Sequence, residues 1–433
     1  MKTSEHNYAL PIAMMFALFF MIAFVTGLQN PMGVIIKSQF EASNFVSQLG
    51  NLANFIAYAF MGIPAGMLLS KIGYKKTALA AIAVGFIGVG ITFLSGIMGN
   101  SGTADKDAST GIFVVYLTGA LISGFSMCML NTVVNPMLNT LGGGGNRGNQ
   151  LIQFGGSCNS IGATIIPVLV GYLIGDVSQA SISDANPALF IAMGIFALAF
   201  IVLGTIQIPE PYIAQKSKTV KDKYSAWNFR HFVLGVIAIF IYVGVEVGIP
   251  NIANLFMTNE LGIATAEAGT IVGTYWFLML VGRLLGASVA AKVSSKKMLA
   301  TVSVLGLAFI LIAILSPLSA EVMMPVFKSD ISFGYVEVPV SIMFFVLCGL
   351  CTSVMWGGIF NLAVEGLGKY TAAASGIFMM MVCGGGILPA IQGWIADITS
   401  FISSFWLIFA GMLYFLFYAL VGSRNVNKNI PVE

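Results

Sequence analysis

FVLGVIAIFIYVGVEVGIPNIANLFM, residues 232–257, decides the fold class. This stretch carries a single charge and, at 1.5 Å per residue, is long enough to cross a ~30 Å hydrocarbon core as a helix. The exception within it is Glu246. On insertion scales a carboxylate at bilayer depth costs roughly 2.5–3.5 kcal/mol, so a membrane chain keeps one for a water-filled pathway, a proton or a metal ion.

The rest of the chain repeats the pattern. It is 58% hydrophobic and 9% charged over 433 residues, with a mean hydropathy of +0.92, where a soluble domain carries about 25% charge. Twelve apolar spans are expected, at 9–33, 44–70, 77–98, 111–141, 150–174, 187–208, 231–258, 266–291, 298–317, 339–363, 371–395 and 403–422. Only helices satisfy their own backbone in lipid outside a closed barrel, so the fold class is an all-α integral membrane protein. The first span is too long for a signal peptide and lacks a small-x-small cleavage site.

Basic residues orient the spans. One set of loops holds Lys71, Lys75, Lys76, Arg147, four lysines between 216 and 223, Arg230, Lys292, Lys296, Lys297 and Lys369. The opposite loops hold only Lys37, Lys106 and Lys328, with acids such as Asp105, Asp184, Glu260, Asp330 and Asp397. The alternation places both termini in the cytoplasm and accounts for the net charge of +3. No basic cluster with interleaved aromatics marks a nucleic-acid site. The five cysteines all fall in spans, so neither a disulfide framework nor a redox role for Cys348 and Cys351 is expected. His6 and His231 are too far apart to suggest a metal site, and no cofactor is expected beyond H+ or Na+ as a coupling ion.

The chain reads as two halves, 1–208 and 231–433, joined by a cytoplasmic linker at 209–230. Span 2 ends in Gly62-x-x-x-Gly66 and a basic loop; span 8 ends in Gly282-Arg283-x-x-Gly286 and a basic loop. Asn135 precedes Leu141-Gly142 at the same interval as Asn361 precedes Leu367-Gly368. Pro167-x-x-x-Gly171 matches Pro389-x-x-x-Gly393. Parallel duplication is the mark of a transporter that rocks two bundles about a central site. The glycine runs 142–145 and 384–386 are not read as phosphate cradles, since neither has the strand–loop–helix context of a P-loop.

The loop GMLLSKIGYKK, residues 66–76, resembles the 2–3 loop of the major facilitator superfamily, with Ser70 where an aspartate is usual. IPAG (63–66), LNTVVNP (130–136), YVGVEV (242–247), Gly282-Arg283, IFNLA (359–363) and GLGKYT (366–371), together with Gln153 and Asn159, resemble its branch of fucose permeases and bacterial glucose/galactose symporters. The resemblance covers roughly residues 10–420 and implies twelve transmembrane helices in two pseudo-symmetric six-helix bundles. It also implies proton-driven import of a monosaccharide (a hexose or acetamido-hexose) by a monomer working by alternating access. Two positions that carry acids in fucose permease are amides here, Asn131 in span 4 and Asn30 in span 1. An amide cannot exchange a proton but still donates and accepts hydrogen bonds.

Glu246 is therefore the candidate coupling group, as a proton carrier or as a Na+ ligand; the plain alternative is a structural acid bonded to a neighbouring helix. Counting along the helices puts it ~22 Å from the cytoplasmic end of span 7 and Arg283 ~25 Å from the outer end of span 8, so no resting ion pair is expected between them. Arg283 is instead a candidate inner gate, with Lys71 and Lys75. Hexose hydroxyls call for amides and apolar ring faces for aromatics. Candidates for the sugar site are Gln29, Asn30, Asn51, Asn54, Tyr58, Asn131, Asn135, Gln153 and Asn159 in the first half, and Asn251, Trp276, Trp356 and Asn361 in the second; Gln150, Asn254, Tyr275 and Gln392 lie at similar depth. Amides also bond helix to helix, which is the structural alternative for each. Without an intramembrane histidine or a His-Glu-x-x-His motif, an enzyme is not expected. A sodium-coupled or uncoupled carrier of a sugar or other polar solute, or a non-transporting sensor, are the other readings.

Overall fold

The computed structural model describes residues 8–40, 46, 49–99, 106–174, 180–210, 224–328, 330 and 332–432. The elements are α1 (Ala9–Gln39), α2 (Leu49–Gly99), α3 (Lys106–Leu141), α4 (Gly145–Ile174), α5 (Asn186–Thr205), α6 (Arg230–Asn259), α7 (Thr265–Ala290) and α8 (Ser295–Leu315). Two strands follow, β1 (Glu321–Phe327) and β2 (Phe333–Pro339), then α9 (Val340–Thr352), α10 (Met355–Val364), α11 (Thr371–Met380), α12 (Gly384–Ile398) and α13 (Phe401–Phe417).

Ten stretches among the described residues are helical, long and apolar enough to cross a membrane. One of them, Leu49–Met98, is 50 residues long and bends at Gly73, whose φ of 85° belongs to the left-handed region. It holds spans 2 and 3. The helix α4 is long enough to cross but more polar, with Gln150, Gln153, Ser157 and Asn159 on it. Counting α2 twice and adding α4 gives the twelve spans of the sequence pattern.

The chain forms two compact units. The first comprises Met1–Leu141, Cys158–Lys221 and Gly368–Met380. In it α11 packs against α2 through glycine: a Cβ on Gly62 would lie 2.6 Å from the Gly376 carbonyl oxygen and from the Met380 nitrogen. Pro136 inside α3 removes the amide that would bond the Thr132 carbonyl four residues earlier. The Ser375 hydroxyl of α11 donates to that carbonyl at 3.0 Å. At the bend of α2 the Glu210 carboxylate accepts from the amides of Tyr74 (2.6 Å) and Lys75 (2.9 Å), and Lys75 Nζ donates to the Gly204 carbonyl at the end of α5 (2.8 Å).

The second unit comprises Gly142–Ser157, Asp222–Leu367 and Met381–Glu433. Span 10 is broken between α9 and α10. The hydroxyls of Thr352 and Ser353 donate back to the carbonyls of Cys348 and Leu350 (3.2 and 2.6 Å), and Gln153 Nε2 of α4 donates to the Val354 carbonyl at 2.8 Å. Span 11 is interrupted by a short 3-10 turn, Met381–Cys383.

One element was not anticipated from the sequence, the antiparallel hairpin of β1 and β2, with Met323 opposite Glu337 and Phe327 opposite Phe333. Its signal is the alternation Val322, Met324, Val326, of which Met324 and Val326 are buried. Phe277 of α7 stacks on Phe327 with centroids 4.3 Å apart, and the Phe327 amide donates to Thr274 Oγ1 at 3.0 Å. In its turn the hydroxyl and amide of Ser332 hold the Asp330 carboxyl below the usual carboxylate range.

Gly62→Ala should force the α2–α11 contact apart and cost about 1–3 kcal/mol, seen as a lower melting temperature of the purified protein. Gly90→Ala meets only Met193 Cε at 3.6 Å and should leave the melting temperature unchanged or higher, because alanine is the better helix former.

Candidate functional site

The second unit assembles the site around Glu246. Pro250 lies four residues beyond it in α6 and so removes the amide that would bond the Glu246 carbonyl. Tyr275 of α7 fills the vacancy: its hydroxyl donates to that carbonyl at 3.1 Å and shares a second bond, also 3.1 Å, with Thr352 Oγ1 at the end of α9. The backbone that carries the carboxylate is thus fixed from two neighbouring helices.

The Glu246 side chain meets Arg283. Nη2 lies 3.2 Å from Oε1, and the two side chains are 12% and 13% exposed. Arg283 Nη1 also donates to the Gly156 carbonyl of α4 at 3.2 Å. The sequence-based expectation of no ion pair is therefore corrected. Depth was counted at the Cα atoms, but helical side chains lean toward their own N-terminus. The helices α6 and α7 are joined by the short turn after Asn259 and run in opposite senses, so the glutamate and the arginine lean toward each other. The long arginine stem covers the rest.

Aromatic rings border the pair. Tyr242, one turn before Glu246, is fully buried and packs edge-on against Trp356 with centroids 6.2 Å apart. Trp276 packs edge-on against Tyr275 at 5.2 Å and is 40% exposed. Asn251 is exposed. Gln153 is committed to Val354, as described above, and Asn361 Nδ2 donates to Ser295 Oγ at 2.8 Å, at the start of α8. Gln392 is fully buried beside Gly248.

The first unit gathers other candidates into a chain. Asn131 Nδ2 donates to the Tyr58 hydroxyl (2.9 Å) and the Met127 carbonyl (3.1 Å); Asn135 Nδ2 donates to the Asn131 carbonyl (2.9 Å). Asn54 Nδ2 reaches the Gly50 carbonyl at 3.5 Å, and Asn159 Nδ2 the Phe19 carbonyl of α1 at 3.2 Å. Asn51 is half-buried nearby on α2. The side chains of Gln29 and Asn30 lie outside the described residues. Lys75 holds the end of α5, and Lys71 is exposed at the bend of α2.

Sequence reasoning missed Gly156, Thr352 and Glu210. The spacing of Glu246 and Pro250 was the usable signal, since it marks a carbonyl in need of a donor. The carbonyl of Gly156 and the partners of Glu210 carry no sequence signal, because any residue offers a backbone.

Removing one partner of a desolvated ion pair strands the other charge, which costs about 3–5 kcal/mol. Glu246→Ala should therefore lower the melting temperature sharply, and Glu246→Leu combined with Arg283→Met should recover most of the loss. Additive losses in a double-mutant cycle would show that the pair is not coupled.

The Major Facilitator Superfamily model matches residues 15–388. The chain is 29% identical over 431 residues to a glucose/galactose transporter of Brucella abortus biovar 1 (strain 9-941), covering 98% of this chain and 96% of the relative. It is 23% identical over 422 residues to the L-fucose-proton symporter of Escherichia coli (strain K12), covering 91% and 88%. Among solved structures, the transporter FucP in its outward conformation superposes with a TM-score of 0.80 at 19% identity, covering 96% of this chain and 100% of that one. Twelve helical spans in this order, and a family match over most of their length, make this chain a member of the Major Facilitator Superfamily.

Proposed function

We propose that this protein imports a monosaccharide across the bacterial inner membrane by alternating access, in symport with protons. The hexose could be glucose, galactose or fucose, or an acetamido-hexose. The observation that carries the reading is the Glu246–Arg283 pair within a chain of this family. The sugar class rests on the near full-length similarity to a glucose/galactose transporter and an L-fucose-proton symporter. On this reading the halves 1–208 and 231–433 are the two rocking repeats, both termini are cytoplasmic, and the monomer is the working unit.

In this mechanism Glu246 is the exchangeable acid. A proton on its carboxyl cancels its charge and frees the guanidinium from it, so occupancy by a proton and the orientation of Arg283 change together. A proton needs a single carboxylate oxygen, whereas Na+ needs several oxygens around it, and Oε1 already faces a guanidinium. That favours H+ over Na+. In the second unit Trp276 and Trp356 have ring faces of the kind that stack on the apolar side of a pyranose; in the first, Asn131 and Tyr58 have polar groups of the kind that bond hydroxyls. Asn131 binds here and does not titrate.

The test is uptake of labelled hexoses and acetamido-hexoses into proteoliposomes, with pH and sodium gradients imposed separately. The wild type should accumulate one of the panel when the outside is acidic. Glu246→Gln should abolish accumulation above equilibrium while keeping sugar exchange within about tenfold of wild type, as expected when coupling is lost but the two conformations persist. Undiminished gradient-driven accumulation by Glu246→Gln would overturn the assignment, and accumulation that follows sodium alone would replace the coupling ion.

A further inference from the structure

A second site lies in the second unit, at the end of the helices opposite the hairpin. A cavity of about 830 Å³ opens there between the starts of α4 and α8, the end of α10 and the segment after α13. Three cations face it: Lys296, Arg424 and Lys428. All three are exposed, and among the described residues none is in an ion pair, although Glu365 stands on the same wall. Cations that line one cavity repel one another, and a positive surface alone gives no reason for them to converge on one concavity.

The lining between them is built rather than superficial. Ser295, Asn361 and Ser423 are 3%, 5% and 7% exposed and still line the cavity. Asn361 spends its Nδ2 on Ser295 Oγ, and its Oδ1 has no hydrogen-bond partner among the described residues. A nine-tenths buried amide thus presents an unused acceptor to the cavity. The loop that sequence reading set aside as no phosphate cradle contributes as well. Gly143, Gly144 and Gly145 take φ of 74°, 71° and 52°, and the last of them lines the cavity. It is not a P-loop, but it lets α4 begin at the wall, where first-turn amides have no partner within the helix. The start of α8 does the same at Ser295 and Lys296.

Cations and helix amides select an anion, and phosphate in particular. The Asn361 oxygen and the Glu365 carboxylate select donors, hence hydroxyl groups, and oppose a second phosphate on that side. We propose that this cavity binds a phosphate monoester carried on a hydroxylated body, the chemistry of a sugar monophosphate. Its volume lies within the range of ligand pockets for molecules of that size. A phosphate beside free hydroxyl groups also occurs, as a diester, in the phosphatidylglycerol headgroup. The site is independent of what the protein carries across the membrane.

The test is calorimetric binding to the purified full-length protein in phosphatidylcholine nanodiscs, with glucose 6-phosphate, glucose, inorganic phosphate and fructose 1,6-bisphosphate as probes. Glucose 6-phosphate should bind, tighter than the other three and more weakly as salt rises. Lys296→Ala with Arg424→Ala should weaken it at least about tenfold, as expected for lost charge-assisted bonds, whereas Lys297→Ala, on the same helix but outside the cavity, should not. Nanodiscs containing phosphatidylglycerol separate the sources: unchanged binding upholds a soluble ligand, and competition that disappears in the double variant assigns the site to the lipid headgroup. Absence of glucose 6-phosphate binding in phosphatidylcholine nanodiscs, or binding that the double variant leaves intact, would overturn the proposal.

Discussion

Hydrocarbon offers no hydrogen-bond partner, so every backbone carbonyl that a membrane helix fails to satisfy must be met by another part of the protein. Prolines make such carbonyls at known positions. Pro136 leaves the Thr132 carbonyl without its amide, and Ser375 donates to it. Pro250 leaves that of Glu246, and Tyr275 donates to it. Where span 10 breaks, Thr352, Ser353 and Gln153 attend to the carbonyls around the break. Each unit thus contains bonds that repair an interrupted helix.

The same constraint governs the charges. A glutamate and an arginine that are both about one-eighth exposed are tolerable only together. Their pairing depends on opposed helices whose side chains lean toward one another, and on Tyr275 and Gly156 holding the frame.

The two compact units do not follow the halves 1–208 and 231–433 throughout. Gly142–Ser157 and Gly368–Met380 are the two short segments that belong to a different unit from the chain on either side of them. They begin at the matched pairs Leu141-Gly142 and Leu367-Gly368. Each also supplies a side-chain donor to a span 4 or span 10 carbonyl: Gln153 to Val354, and Ser375 to Thr132. Within each unit, then, the short segment makes the same kind of side-chain-to-carbonyl bond.

What the sequence alone determined was the class of solvent, the number of spans, the basic-loop alternation and the presence of one deep acid. These are properties of composition along a line, and a bilayer reads them one helix at a time. The family resemblance followed from short motifs in order. Only the tertiary structure decided which groups meet. Most of the candidate amides whose bonds are described turned out to bond carbonyls or each other, because an amide in a helix serves a neighbouring backbone as readily as a ligand. The ion pair and the basic cavity depend on the relative height and facing of separate helices. Residue spacing measures height at the Cα atom and says nothing of lean, of register between neighbouring helices, or of which carbonyl a distant hydroxyl will find.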